Sequence, residues 1–203
     1  MHKFTRGMPP VDMAVTKRRF RNQWDDSFLK SEEHAAIGDC LYTGQARHCA
    51  YCDVKINDMK AGHIEHLERR SDNPQRIFDW SNMFFSCNHN DSCGNFKDNE
   101  RLQFNAADIV DPSVDDPADF FTCGMNGRIS ARNSASSRRA GETIRVFNLN
   151  NERLTGIRAN IARAVSYFLE SNPSAEQIDA YLREISSFDC PSVYYNLLKR
   201  KMA

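Results

Sequence analysis

Four cysteines in two pairs constrain this chain more than any other feature of its sequence. Cys49 and Cys52 form a C-x-x-C pair, and Cys87 and Cys93 form a second, wider pair. Four thiolates suit a tetrahedral Zn²⁺ ion in a closed structural site. The spacing therefore predicts a structural zinc site that joins two distant parts of the chain. Because the segment between the pairs has little apolar mass of its own, metal binding would supply much of its folding energy.

The wider second pair leaves an alternative open, because the residues inserted between its cysteines include His89. Sites with three cysteines and one histidine also hold Zn²⁺, so His89 competes with one cysteine as a ligand. The chain has 7 cysteines, and we expect the isolated ones to be small buried side chains: Cys40, Cys123 and Cys190. The sequence shows no signal peptide and no long apolar segment, which predicts a cytoplasmic, reducing location without membrane association.

Side chains that can carry chemistry lie between the two cysteine pairs. Glu65 and His66 are adjacent, and Asn82 follows them before the second pair. Hydrolysis of a phosphodiester needs a base for the attacking water and a cation for the charge that develops on the phosphate. A neutral imidazole can be the base, and carboxylate and amide oxygens can hold Mg²⁺ or Mn²⁺. Alternation along a regular strand would place Glu65 and His66 on opposite faces.

These motifs resemble the core of HNH endonucleases, the ββα-metal type with zinc-knuckle cysteines. The segments that carry the resemblance are C-A-Y-C-D, I-E-H-L-E-R-R and F-D-W-S-N-M-F-F-S-C. An N-terminal F-T-R-G-M-P-P and a later T-I-R-V-F-N-L-N-N-E-R-L occur in the expected order. With these, the whole chain resembles the HNH proteins encoded beside an ATPase in the Septu and retron anti-phage defence systems.

The resemblance implies an α+β fold, a bacterial cytoplasmic location and a nucleic-acid substrate, with DNA as the default and RNA, including transfer RNA, as the alternative. It also implies an SMC- or ABC-like ATPase as partner and, in a retron, a reverse transcriptase with its RNA–DNA hybrid. For the site it implies His66 as general base and Glu65 as the neighbouring acidic ligand or orienting group. Asn82 matches the middle Asn of the pattern, whose amide would tether the loop that carries the base.

The resemblance leaves two candidates for the last ligand of the catalytic cation. In the family a His or Asn follows the final cysteine, three residues before a Lys, and Gly94 occupies that position here. Either Asn95 is the ligand or His89 reaches the metal, and we favour Asn95. We expect Lys97 either to contact phosphate or to be solvated. His63 is expected to lie behind the ligands or at the surface.

Hydrophobic periodicity and turn signals divide the chain into four segments. These are an N-terminal arm and helix (1–42), the core that resembles an HNH nuclease (43–105), an irregular loop region (106–150) and a C-terminal helical region (151–203). Within the core, the pattern predicts a strand over 49–56, a strand over 62–67 that pairs with it as a hairpin, and a helix that begins within 96–104.

Outside the core, capping residues and helical periodicity predict several helices. Ser31 before two glutamates predicts a helix to about Leu41, and apolar residues from Leu154 onward repeat at helical spacing. Ser174 and Gln177 form a capping box, and Pro191 can begin a third C-terminal helix.

Charge is balanced overall but clustered locally. The formal net charge is +0, which argues against binding nucleic acid by bulk charge. Two basic clusters, over 17–21 and 128–145, can contact phosphates or be solvated loops, and an acidic run over 108–119 lies between them.

Two function classes fit these observations. A non-catalytic zinc-knuckle module that binds nucleic acid or acts as an adaptor needs only the cysteines. It does not need Glu65, His66 and Asn82 between them, and this excess of chemistry favours a metal-dependent endonuclease. A cysteine-nucleophile enzyme is disfavoured, because no free cysteine lies in a recognisable context with a histidine.

Overall fold

The computed structural model describes residues 1–202, and for Ser186 and residues 199–202 it describes the backbone alone. Ala203, the end of the predicted C-terminal region, lies outside the described residues. Over this range the fold is α+β, with nine helices and two small antiparallel sheets. The helices are α1 (Met13–Arg19), α2 (Asp26–Leu29), α3 (Glu32–Gly44), α4 (Cys93–Asn99), α5 (Pro117–Phe120), α6 (Ser137–Val146), α7 (Glu152–Glu170), α8 (Ala175–Glu184) and α9 (Pro191–Met202). The strands are β1 (Gly62–His66), β2 (Met83–Cys87), β3 (Phe121–Cys123) and β4 (Ile129–Ala131).

The unit formed by β1, β2 and α4 holds the predicted site residues. β1 pairs antiparallel with β2, so that Gly62 lies opposite Cys87 and His66 lies opposite Met83. Helices α3 and α4 both pack against this pair. The long connection between the strands runs from Leu67 to Asn82, and Leu67 N donates to Asn82 O across its base at 3.0 Å. The chain therefore closes a loop directly at the end of β1.

The predicted hairpin between residues 49–56 and β1 is wrong. Residues 49–52 form turns, and the segment pairs only through a single bridge between His48 and Lys55. The physical reason is the tight turn that carries Cys49 and Cys52, which we call the knuckle. Asp53 adopts a left-handed conformation with φ 68°, and its N–H donates to Cys49 O at 3.1 Å. A tight turn of this kind brings two cysteines together but interrupts an extended strand.

The helix of the core also begins earlier than predicted. α4 begins at Cys93, directly after the insertion in the second cysteine pair, and ends at Asn99. Arg101 then turns the chain with φ 48°. A left-handed residue just past the last turn is a common way to end a helix.

The N-terminal arm is part of the core rather than an appendage. The Arg6 guanidinium donates to Trp80 O at 2.8 Å and to Met83 O at 2.6 Å, and it lies 4.4 Å from the centre of the Phe84 ring. Trp80 Nε1 donates back to Gly7 O at 2.8 Å. The F-T-R-G and D-W-S-N-M segments therefore meet in space.

One apolar cluster joins all four segments of the sequence division. Phe28 and Ile37 come from the first segment, Phe84 from the second, Phe147 from the third and Leu154 from the fourth. In α3, Ser31 Oγ accepts from His34 N at 3.1 Å, so the helix begins where the sequence predicted. A smaller cluster lies among α7 to α9.

The region over 106–150 is more ordered than predicted. It contains α5, α6 and the antiparallel pair β3–β4. Gly127 makes the hairpin turn at φ 76°, and a Cβ there would lie 2.0 Å from Thr155 O. The Asn150 side chain donates to Ile129 O at 2.8 Å and accepts from Ile129 N at 2.9 Å. These contacts depend on residues far along the chain, so local sequence signals did not reveal them.

Three arginines of the second basic cluster form ion pairs, two of them with the acidic run. Arg138 forms an ion pair with Asp108 at 2.7 Å, and Arg139 forms one with Asp115 at 2.5 Å. Arg145 pairs with Glu142 at 2.6 Å. The two charged stretches therefore hold the third segment together, which argues against the cluster as a phosphate-binding surface.

The C-terminal helices begin and end close to the predicted positions, and the capping box of Ser174 and Gln177 is present. They are fastened to the first cysteine pair. Cys190 N donates to Asp53 O at 2.7 Å, and Ser192 N at the start of α9 donates to Asp53 Oδ2 at 3.0 Å. A search of the described residues finds no helix that is long and apolar enough to cross a membrane.

Candidate functional site

The four predicted zinc ligands come together. The Sγ atoms of Cys49, Cys52, Cys87 and Cys93 all lie within 4.8 Å of one another, and all four side chains are buried. The Cys52 and Cys87 sulfurs are 3.9 Å apart. Two thiolates on a tetrahedral Zn²⁺ would be roughly 3.8 Å apart, since each Zn–S bond is about 2.3 Å. The cluster therefore fits a metal such as zinc with four cysteine ligands, whereas His89 is exposed and outside it.

Three different elements position these cysteines. Cys49 and Cys52 lie on the knuckle, Cys87 ends β2, and Cys93 begins α4 in a left-handed conformation with φ 61°. The Gln45 side chain fixes the knuckle to β2, because its Nε2 donates to His48 O at 3.0 Å and to Phe85 O at 2.9 Å. The cluster thus links β2, α4 and the knuckle into one unit.

Glu65 faces α4 and is only 2% exposed. Its Oε1 atom is 2.6 Å from Lys97 Nζ, and its Oε2 atom is 3.5 Å from His63 Nε2. Burial alone would raise the pKa of Glu65, but the Lys97 ammonium and the hydrogen bond from His63 outweigh it and hold the pKa below its ordinary value. A Cβ at Gly94 would lie 2.5 Å from Oε2, so the glycine makes the room that this carboxylate occupies.

Lys97 is fully buried, so it is neither solvated nor free to contact phosphate, and both parts of that expectation are wrong. Its ammonium donates to His66 O at 2.6 Å and to Leu67 O at 3.1 Å, and it lies 3.0 Å from Asp98 Oδ1. Sequence reasoning missed this role. The available signal was the spacing, because residues three apart on a helix share a face. Lys97 therefore shares the Gly94 face of α4 that meets Glu65.

His66 faces the opposite side of the β1–β2 pair, as alternation predicted. Its Nε2 atom is 2.9 Å from Ile77 O, and its ring meets Trp24 edge-on at 4.6 Å between centroids. A carbonyl oxygen only accepts, so Nε2 carries the hydrogen and Nδ1 keeps a lone pair in the neutral ring. Burial lowers the pKa of His66 to about 4, which keeps the imidazole neutral at pH 7. The side chain can therefore accept a proton at Nδ1.

Asn82 tethers the loop that follows His66. Its Oδ1 accepts from Glu68 N at 2.8 Å, and its Nδ2 donates to Glu68 O at 3.0 Å. A weaker bond of 3.4 Å runs from Nδ2 to Arg76 O, next to the carbonyl that orients His66. These bonds hold the loop that directly follows His66, and the role of Asn82 in a reaction stays a prediction.

Each of the two predicted ligands of a second cation that lie nearest α4 already has another partner. Asn95 Nδ2 donates to Asn90 Oδ1 at 3.3 Å, and Glu65 is already paired with Lys97. In the part of the chain that the structure describes, the four-cysteine cluster is the one group of three or more His, Cys, Asp or Glu side chains arranged to hold a metal. Because its carboxylate is already paired with Lys97, Glu65 does not fit a divalent cation in this arrangement, and whether Asn95 or His89 could bind one stays a prediction. His63 lies beside Glu65, with its Nδ1 atom 2.7 Å from Asn88 Oδ1.

Comparison with known proteins adds no relative. A scan against known protein families found no match, and a search of curated proteins found no match either.

Proposed function

We propose that this protein is an HNH-type endonuclease that hydrolyses phosphodiester bonds of nucleic acid, with a structural Zn²⁺ in the four-cysteine site. The single observation that supports this most is the state of His66. The ring is neutral, one nitrogen is fixed by the Ile77 carbonyl, and the residue ends a strand in a strand–strand–helix unit closed by four cysteines. A zinc-knuckle adaptor would not need a histidine held in this way.

In the proposed reaction His66 Nδ1 accepts a proton from the water that attacks phosphorus, while the P–O bond to the leaving sugar oxygen breaks and that oxygen takes a proton from solvent. The positive charge that this proton creates is stabilised by the Ile77 carbonyl on the opposite nitrogen. Asn82 holds the loop that carries this carbonyl, so it positions the base without touching the water. Trp24 lies against the imidazole and limits the entry of bulk water to it.

A divalent cation such as Mg²⁺ or Mn²⁺, when bound, would neutralise the charge that develops on the phosphate oxygens. Because the carboxylate predicted to hold it does not fit it here, we assign no step to such an ion. Cleavage assays after dialysis, with and without added Mg²⁺ or Mn²⁺, decide whether the reaction depends on one.

Substitution of His66 by Gln tests the proposed base. The Gln side chain can still donate to Ile77 O but offers no nitrogen that accepts a proton. We expect cleavage of labelled DNA and of structured RNA to fall by about 10²–10⁴-fold, the usual contribution of a general base. His89→Gln is the matched control at an exposed histidine, and zinc content should be unchanged in both. Wild-type cleavage by His66→Gln would leave the non-catalytic zinc-knuckle adaptor as the better function.

We also propose an SMC- or ABC-like ATPase as partner, in an anti-phage defence system that in a retron includes a reverse transcriptase. The C-terminal helices expose large aromatic side chains, with Tyr167 at 79% and Tyr195 at 42% exposure. Deleting residues 151–203 is a poor test, since it also removes the bonds from Cys190 and Ser192 to Asp53. Tyr167→Ser is cleaner, with Val114→Ser at another exposed apolar side chain as control. Loss of co-purification with the ATPase only in the first variant would support this surface.

A further inference from the structure

A polar groove lies beside the candidate site and is not used by the mechanism above. It has a volume of about 610 Å³ and is lined by residues of the loop after β1, of α4 and of the chain after α4, among them Arg69, Arg70, Asp98, Arg101 and Gln103. A second groove of about 630 Å³ adjoins it, because Arg69, Asp72 and Gln103 line both. Together they form a continuous polar surface past the end of the strand that carries His66.

Arg69 connects the two sides of this groove, and its positive charge is already paired with the carboxylates of Asp72 and Asp98. Its Nε donates to Asp98 at 3.1 Å, and its Nη1 lies 3.3 Å from Asp72 Oδ2. Its Nη2 donates to Leu102 O at 2.9 Å and also to Lys97 O. Arg69 therefore joins the loop after β1 to α4 and the chain after it, and each of its three side-chain nitrogens already has a partner.

Arg70 and Arg101 differ from Arg69 in having no acidic partner. Both are exposed, and neither forms an ion pair with a carboxylate among the described residues. The Arg70 guanidinium lies 5.6 Å from the centre of the Trp24 ring and reaches Trp24 O at 3.5 Å. Two uncompensated guanidinium groups that line one groove favour an anionic ligand, and guanidinium groups match phosphate oxygens well.

Arg70 is also close to the candidate base. After burial, which is the largest influence, the positive charge of Arg70 contributes to lowering the pKa of His66. Trp24 connects the two, because one ring contacts both His66 and Arg70. A phosphate held by Arg70 would therefore belong to the same strand as a phosphate presented to His66.

We propose that Arg70 and Arg101 bind the phosphodiester backbone of the nucleic-acid strand beside the cleaved bond. This rests on the proposed nuclease function, and it assigns the substrate path to the groove after β1 rather than to the basic cluster over 128–145. An acidic polypeptide carries similar charge, but the position of the groove next to His66 favours nucleic acid.

The test measures binding rather than cleavage. The full-length His66→Gln protein is titrated into a short fluorescein-labelled single strand of DNA, and of RNA, over a series of NaCl concentrations. Each phosphate contact contributes about 0.7 to the slope of log K against log salt for single strands. Replacing Arg70 and Arg101 by Gln should therefore reduce the slope by roughly 1.4 and weaken binding. Arg183→Gln, at an exposed arginine on α8, should change neither quantity.

Two further variants protect the test against a structural artefact. Arg101→Gln alone does not touch Trp24 and should reduce the slope by about half as much. Arg70→Lys retains the positive charge, so its slope should equal that of the parent, whereas Arg70→Gln alone should lose about 0.7. Thermal unfolding and zinc content should match those of the parent in every variant.

The results separate this inference from the nuclease proposal. If binding depends on the two arginines but the wild-type protein never cleaves, the proposed binding groove is supported and the proposed nuclease function is refuted. If the wild-type protein cleaves but the double variant keeps the same slope and affinity, the proposed binding groove is refuted and the nuclease function stands. Equal displacement of the strand by polyglutamate of matched charge would also overturn it, since the groove would then select charge and not a phosphodiester.

Discussion

Lys97 Nζ lies 2.6 Å from Glu65 Oε1, and both side chains are almost completely buried. The carbonyls of His66 and Leu67 and the Asp98 carboxylate, 3.0 Å away, also surround the ammonium. Removing one partner of a buried ion pair leaves an uncompensated charge, which is far more destabilising than loss of a surface pair. The pair therefore controls both the stability of the core and the position of the strand end that carries His66.

The first prediction concerns this ion pair. Lys97→Met should lower the free energy of unfolding by about 3–5 kcal/mol at neutral pH, because Glu65 stays buried with only the His63 imidazole, 3.5 Å away, to offset its charge. In the wild type the lowered pKa of Glu65 gives stability that is present above its ordinary pKa and is lost as pH falls through the folded value. In the variant the carboxyl prefers its protonated form, so the deficit should shrink at acidic pH. Urea unfolding at neutral and acidic pH measures both effects.

A double variant is the control for that experiment. Glu65→Gln combined with Lys97→Met removes both charges and should recover part of the lost stability. A deficit that is equal at neutral and acidic pH, with no recovery in the double variant, would show that lost packing rather than charge explains the effect.

The second prediction concerns the protonation of His66. Its pKa, about 4 in the folded protein, lies below the ordinary value of 6.5, so the unfolded chain binds the proton more readily between these values. Stability should therefore fall as pH drops from 6.5 to 4, by about 3 kcal/mol at most. NMR titration of the imidazole gives the pKa directly. His66→Gln should lose this part of the pH dependence, whereas a measured pKa near 6.5 would contradict the burial of the ring.

The third prediction concerns the cysteine cluster. Purified protein should contain one tightly bound Zn²⁺ per chain, and Cys52→Ser should lose it and fail to fold, since structural zinc contributes on the order of 10–16 kcal/mol in small finger peptides. Cys40→Ser is the matched control, because Cys40 is a half-buried cysteine on α3 outside the cluster. Metal analysis that finds no zinc in soluble, folded wild-type protein would refute this site.

The fourth prediction concerns the glycine opposite Glu65. Gly94→Ala places a Cβ 2.5 Å from the buried Oε2 atom, so Glu65 or α4 must shift. We expect a loss of about 1–3 kcal/mol, the usual cost of overpacking a core. Gly141→Ala on α6 is the control, since its Cβ meets open space, and it should stabilise the helix by about 0.5–1 kcal/mol. Thermal unfolding measures the stability of both variants. If Gly94→Ala were as stable as Gly141→Ala, the side chains around Glu65 would accommodate the added Cβ without cost.

The elements that the sequence predicted well are those with local causes. The helix after Ser31 and the capping box at Ser174 depend on residues within one turn of each other. The cysteine spacing likewise indicated which four side chains would meet, because a metal site restricts the ligands so strongly. The facing of Glu65 and His66 followed from strand alternation alone, once the strand itself was recognised.

The partners of those residues were decided only by the tertiary structure. β1 pairs with β2 and not with the knuckle, because Asp53 turns the chain before a strand can form. Glu65 meets Lys97 because Gly94 lets α4 approach closely. Two arginines of the basic cluster over 128–145 pair with carboxylates of the acidic run. Periodicity and spacing report local geometry, whereas a buried charge is compensated by whichever segment the fold brings beside it, and that choice is a property of the whole packed chain.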